Sequence, residues 1–220
     1  MKSVLLIGMG KFGCTLGEKL LLMGDEVVIV DKNEAIIDSI ASKYEDARIM
    51  NCMLIDNLKT LDIPSFDVCI VAIAEDFQAS LEITSNLKDL GAKRVIAKAS
   101  TEIQRKFLIK TGADEVVYPD QDIAEKLAVK LNSTNVINYI DLDPEYSIFE
   151  IALPPKWVNR KLVDINPRLK YGMNILTVKR GKEVVSTLGG DFIFQSEDQL
   201  VVFGNFVKIL AFINKPEKMK

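Results

Sequence analysis

The chain has 220 residues, with 28 Lys plus Arg against 31 Asp plus Glu, three cysteines and no histidine. At 48% hydrophobic and 27% charged it has the composition of a folded globular protein, long enough for one large domain or two modest ones. Without histidine there is no Ser-His-Asp or Cys-His relay and no imidazole zinc site, and a net charge of −3 offers no general attraction for nucleic acid.

Cys14, Cys52 and Cys69 are scattered and form no CxxC pair. That spacing predicts reduced thiols, with neither a disulfide framework nor a metal knuckle. No stretch approaches the roughly 18 apolar residues that a membrane-spanning helix needs. The first residues lead straight into an apolar run, without a signal-peptide pattern. The expectation is a soluble cytoplasmic protein.

In chain order, Ser3–Ile7 reads as a strand and Lys11–Met23 as a helix, with Phe12, Leu16, Leu20 and Met23 at helical spacing and Gly24 ending it. Glu26–Val30 is the next strand. Asn33 is placed to cap a helix running to about Lys43, with Ile36, Ile37 and Ile40 inward. Strands at Arg48–Asn51, Val68–Ala74, Arg94–Lys98 and Glu115–Tyr118 then alternate with helices at Phe77–Leu90, Thr101–Thr111 and Asp120–Leu131. Continuous Val/Ile runs separated by helices predict a doubly wound parallel sheet covered on both faces.

The pattern changes after Asn132. Tyr146–Leu153 alternates, with Ile148, Glu150 and Ala152 on one side and Phe149, Ile151 and Leu153 on the other, until Pro154-Pro155 stops it. Asn174–Lys179 and Glu183–Ser186 flank the turn Arg180-Gly181-Lys182 as a hairpin. Leu200–Phe203 is a further strand and Asn205–Ile213 a short final helix. The predicted organisation is an α/β domain over residues 1–134, a linker over 135–142, and a small α+β domain over 143–220.

Gly8-Met9-Gly10-Lys11-Phe12-Gly13 fits G-x-G-x-x-G. It follows a strand, opens a helix, and precedes a second strand ending in Asp31. In that context Gly8 makes a tight turn, Gly10 lets phosphate approach backbone, and Gly13 lets helix and strand pack closely. The helix N-terminus offers free N–H groups to an anion. Asp31 can accept hydrogen bonds from ribose hydroxyls and disfavours a 2′-phosphate, so NADP is the poorest fit. Hydride transfer would also need a proton-exchanging group. The chain has no Tyr-x-x-x-Lys pairing, which lowers an NAD-dependent oxidoreductase reading without removing it.

Further segments extend the pattern: VAIAEDFQAS at 71–80, AKAS at 97–100, TGADEVVYPDQDIA at 111–124 and NYIDLDPEYSIFEI at 138–151. With the glycine motif and Asp31, these resemble the regulator-of-potassium-conductance (RCK) N and C domains of cytosolic regulatory subunits from bacterial Ktr/Trk potassium-uptake systems, Ktr-type subunits in particular. The resemblance implies a Rossmann-like first domain that binds ATP/ADP or NAD(H) and a non-enzymatic gating role. It also implies homo-oligomers, as dimers assembling into a ring, and a membrane potassium-translocating subunit as partner at the inner face of the membrane.

By position, the resemblance puts Lys11 near the phosphates and Asp31, with Lys32 beside it, at the ribose. Asn51, Cys52, Ile73 and Ala74 fall around the adenine, and Lys98 at the same sheet edge. Asp120 aligns with an acid that approaches a neighbouring subunit's nucleotide. Leu162, Val163, Ile165, Arg168, Asn174 and Ile175 are similar to the C-domain segment that binds cyclic di-AMP. Burial in the core explains its apolar members equally well.

Overall fold

Apolar runs too short for helices and separated by amphipathic segments can bury both faces only inside a layered sheet. The computed structural model, which describes residues 1–73, 75–133 and 135–214, shows that arrangement. The chain divides into two units, Met1–Asp122 and Ile123–Lys220.

In the first unit six strands form a parallel sheet: β1 (Ser3–Ile7), β2 (Glu26–Asp31), β3 (Asp46–Ile49), β4 (Val68–Val71), β5 (Val95–Lys98) and β6 (Glu115–Val117), in the order β3-β2-β1-β4-β5-β6. Helices α1 (Lys11–Leu22) and α2 (Glu34–Ile40) lie on one face, α3 (Ile55–Lys59), α4 (Phe77–Asp89) and α5 (Glu102–Thr111) on the other. The alternation along β1 shows why its sequence is apolar throughout. Val4 and Leu6 pack beneath α1 and α2, and Leu5 and Ile7 beneath α3 and α4. Side chains cap the helix starts, with Asn33 accepting from Ala35 N–H, Asp76 from Ala79 N–H and Thr101 from Gln104 N–H. Gly112, at φ 116°, ends α5 in the left-handed region.

Helix α6 (Pro119–Asn132) contains the division between the units. Beyond it, β7 (Val136–Asp141), β8 (Tyr146–Ala152), β9 (Met173–Arg180), β10 (Glu183–Val185) and β11 (Asp198–Asn205) form an antiparallel sheet ordered β10-β9-β11-β8-β7. The short helices α7 (Leu162–Ile165) and α8 (Pro167–Tyr171) and the final helix α9 (Phe206–Ile213) pack on one side of this sheet. Phe149, Trp157, Met173, Phe194 and Val202 form the centre of that core.

Several expectations are corrected. Residues 135–142, read as a linker, hold β7, which gains its ladder by pairing with β8. The division falls within α6 and not after residue 134. Strand β4 ends at Val71 and not at Ala74; Ala72 N–H still donates to the Ile7 carbonyl of β1 at 2.8 Å, the last ladder bond before the chain leaves for α4. The helix after Asn33 ends at Ile40 and passes into one 3₁₀ turn, Ala41–Lys43. Helices α3, α7 and α8 are too short to leave a periodic signature.

One buried ion pair organises the second unit. The Asp198 side chain has no exposed surface, and Arg180 reaches it through Nε (2.7 Å to Oδ1) and Nη2 (2.9 Å to Oδ2). Gln195 N–H also donates to Oδ2 at 2.8 Å. Burial pushes the Asp198 carboxyl up, but Arg180 and the Gln195 amide outweigh it and leave the group below the usual carboxylate range. Asp198→Ala is expected to cost about 2–3 kcal/mol by stranding a partly buried guanidinium, read as a lower urea midpoint. Because the folded state binds this proton less readily than the unfolded chain, the pair's contribution is complete above about pH 4 and is lost as pH falls below it. Asp198→Asn should flatten the acid limb of a stability–pH curve.

Candidate functional site

Strands β1 and β4 are neighbours in the sheet, yet the chain leaves β1 for α1 on one face and β4 for α4 on the other. The divergence opens a crevice at the C-terminal edge of the strands, where open α/β sheets bind ligands. A cavity of about 620 Å³ occupies it.

Much of the wall comes from the ends of strands. The glycine loop after β1 contributes Gly8, Gly10, Lys11 and Phe12, β2 contributes Asp31 and the adjacent Lys32, and the turn after β3 contributes Asn51 and Cys52. Ile73 follows β4 and Lys98 ends β5. The structure therefore brings these expected residues together. Met9 and Gly13 are not on the walls. The Met9 side chain is buried in the core under α1, and Gly13 sits beneath the loop. Asp120 is exposed in the first turn of α6 and does not line the cavity. Ala74 lies outside the described residues.

The loop is ordered by specific contacts. Gly8 has φ 96°, a conformation that a residue with a Cβ adopts only under strain. A Cβ on Gly13 would overlap the carbonyl oxygen of Gly8, so loop and helix approach each other only without one. Asp31 accepts from Met9 N–H through Oδ2 (2.7 Å) and from Asn33 N–H through Oδ1 (2.8 Å). One carboxylate thus ties the glycine loop to the end of β2.

Lys11 is the first residue of α1, and Lys98 Nζ rests 5.4 Å from the centre of the Phe12 ring. Two ammonium groups therefore border the helix N-terminus, an arrangement suited to an anion. Lys32 Nζ faces Asp76 Oδ2 at 3.8 Å between the ends of β2 and α4; both side chains are exposed, so the pair adds little stability. Glu75 adds a further carboxylate beside Asp76, and Ile36, Met50, Met53, Ala79 and Ile83 form an apolar stretch that suits a flat base. Sequence reasoning missed these residues, although the four-residue spacing of Ala79 and Ile83 on α4 was a usable signal.

The thiols are inert. Burial, reinforced by the charge of Asp31, pushes Cys52 up to about 12, and burial does the same to Cys69. Burial and the nearby Glu18 also raise Cys14. All three stay protonated at neutral pH, which is the opposite of nucleophile activation.

Comparison with known proteins fits this geometry. Residues 4–119 match the TrkA-N domain and residues 146–215 the TrkA-C domain. Over 97% of this chain and 96% of the relative, the sequence is 36% identical to Ktr system potassium uptake protein A of Bacillus subtilis (strain 168). The chain belongs to the Ktr/Trk family of potassium-uptake proteins. A second member from the same organism, Ktr system potassium uptake protein C, is 38% identical over 96% of each chain. Among solved structures, the GsuK RCK domain superposes with a TM-score of 0.68 at 17% identity, over 98% of this chain and 48% of that one. The GsuK channel bound to NAD gives 0.68 at 16% identity, over 99% of this chain and 40% of that one. This chain therefore spans half or less of those GsuK chains, and the likeness to them is one of fold.

In the TrkA-C region, Val163 and Arg168 are exposed and Leu162, Asn174 and Ile175 partly buried. Ile165 is only 2% exposed and belongs to the core. Helix α7 turns that side chain inward, in the core cluster that also holds Trp157.

The two glycines make opposite predictions for stability. A Cβ on Gly10, at φ −70°, would meet nothing within 4 Å, so Gly10→Ala should stay within about 0.5 kcal/mol of the parent. Gly13→Ala must displace backbone and should cost about 1–3 kcal/mol, seen as a lower melting temperature.

Proposed function

We propose that this chain is a cytosolic, nucleotide-sensing regulatory subunit of a potassium-uptake system, and that its first domain binds ATP/ADP or NAD(H) in the crevice. The observation that carries the reading is the glycine loop held by Asp31 at the switch point of the sheet, in a chain 36% identical to a Ktr protein along nearly its whole length. Anionic phosphates meet the α1 N-terminus with Lys11 and Lys98, the ribose hydroxyls meet Asp31, and the base enters the apolar wall near Ile73 and Cys52. Because Asp31 already accepts two backbone N–H bonds and the Cys52 thiol stays protonated, this wall favours holding a ligand over transforming one.

Among the described residues no helix is long and apolar enough to cross a membrane. The likeness to Ktr system proteins supports a membrane potassium-translocating subunit as the partner. Association with further copies is supported by α6, where Ile123, Leu127 and Leu131 recur every four residues and are 64%, 52% and 75% exposed. Asp120, at the start of the same helix, is the group proposed to reach a neighbouring copy's nucleotide. A second ligand, cyclic di-AMP, is proposed for the C-terminal domain. There Arg168 would meet phosphate, Asn174 a polar base edge, and Val163 the base face, with Leu162 and Ile175 supporting from the core side.

Calorimetry on the full chain tests both sites. ATP, ADP or NADH should bind with measurable heat, and NADPH more weakly than NADH. Asp31→Ala should lower affinity about 10- to 100-fold, the equivalent of losing charge-assisted hydrogen bonds. Absence of binding by all three nucleotides would sink the first assignment. Cyclic di-AMP should bind the parent, and Arg168→Ala should weaken it at least about tenfold; equal affinities would remove Arg168 from that site.

A further inference from the structure

Phe12 belongs to two cavities at once. It lines the crevice beside the glycine loop, and it also lines a separate groove of about 600 Å³ on the α1 face of the same sheet. Leu16 and Leu20 continue the helix wall of that groove, and Val68, Ile70 and Ile96 form its floor. Across the crevice, Lys98 holds its ammonium over the Phe12 ring. No salt bridge to Lys98 occurs among the described residues.

We infer that Lys98 and Phe12 form a phosphate-reading pair, in which a phosphate on the glycine loop draws Lys98 off the ring and so alters the wall of the groove on the other side. This deepens the nucleotide-binding reading and rests on it.

The physical argument has three parts. A cation over an aromatic face is held weakly, so a stronger counter-charge displaces it. An anion seated at the α1 N-terminus supplies that counter-charge, because Gly10, Lys11 and Lys98 line one cavity. The ring released by Lys98 is packed against groove residues and not against solvent alone, since Phe12 sits with Val4, Leu6, Ile70 and Ile96 in the core under α1. The device is therefore a side chain with two alternative partners, which is what a ligand needs in order to shift an equilibrium. Adenosine, which lacks phosphate, fills the base and ribose positions and leaves Lys98 where it is.

Calorimetry with adenosine, ADP and ATP on the parent, Phe12→Leu, Phe12→Met and Lys98→Met separates the possibilities, after melting curves establish that each variant folds. Removing the ring abolishes the competition for Lys98. Phe12→Leu and Phe12→Met should therefore bind ADP or ATP about two- to fivefold more tightly and adenosine unchanged. Lys98→Met should weaken the phosphorylated ligands at least about tenfold and spare adenosine. In protein carrying 4-fluorophenylalanine, the fluorine resonance missing from Phe12→Leu is that of Phe12. It should move with ADP or ATP, stay with adenosine, and stop responding in Lys98→Met. Methyl resonances of Ile70 and Ile96 should follow the same series.

Equal weakening of all three ligands by both Phe12 variants would make the ring simple packing and overturn the inference. So would a fluorine shift of equal size with adenosine, or groove methyls that ignore a bound ATP. If ADP, ATP and NADH all fail to bind the parent, it is the nucleotide reading itself that falls.

Discussion

The carboxylate of Asp31 holds together the edge on which the first unit depends. It accepts the Met9 amide from the glycine loop and the Asn33 amide from the start of the α2 segment, so that two loops from different strands share one anchor. Around it the remaining constraints fall into place. Gly8 can take a positive φ and Gly13 can lie against its carbonyl because neither has a Cβ, and the close approach aims the N-terminus of α1 into the crevice. The strand order supplies the opening, and the side chains at the strand ends supply its chemistry.

The two units solve the problem of burying polar chain differently. In the first, parallel strands have helices on both faces, with the groove beside α1 left open, and carry few polar side chains, so the ladder satisfies most of the polar groups within it. The second has a sheet with helices on one side, and there a charged pair is sunk into the structure. Arg180 also lies over Phe192, its guanidinium carbon 5.3 Å from the ring centre, which gives the cation an aromatic surface besides its carboxylate partner. Beside this pair, β9 and β11 shift register between Val201 and Val202. Leu176 is left without a partner across the ladder and 46% exposed, while Ile175 turns toward the core.

Much of this was legible from the chain. The apolar runs gave the parallel strands apart from β3, expected at Arg48–Asn51 but paired over the half-polar Asp46–Ile49, and the glycine motif with its following acid located the crevice. Met9 and Gly13 show the limit of motif reading, because a motif marks who builds a loop and not who faces the ligand. Ile36 on α2 meets Ala79 and Ile83 on α4 at the cavity only because the sheet brings two separate helices to one edge, and although the spacing on α4 marks a shared face, no local pattern says what that face meets. Strand β7 escaped notice for the same reason: Val136–Asp141 becomes a strand by pairing with β8, and its exposed Ile140 blurs the expected alternation. Ile165 illustrates a second limit, since an apolar side chain in a ligand-like segment reads alike whether it packs in the core, as it does here, or faces a ligand.

The anchored loop also has a kinetic consequence. A phosphate cradle whose amides are already oriented needs no disorder-to-order step when a ligand arrives, so little conformational entropy is surrendered on capture. Encounter is then limited by diffusion and orientation, and competing ligands differ chiefly in how long they stay. In the proposed nucleotide-binding role, a receptor of this kind would follow changes in the relative abundance of its ligands on the timescale of their release.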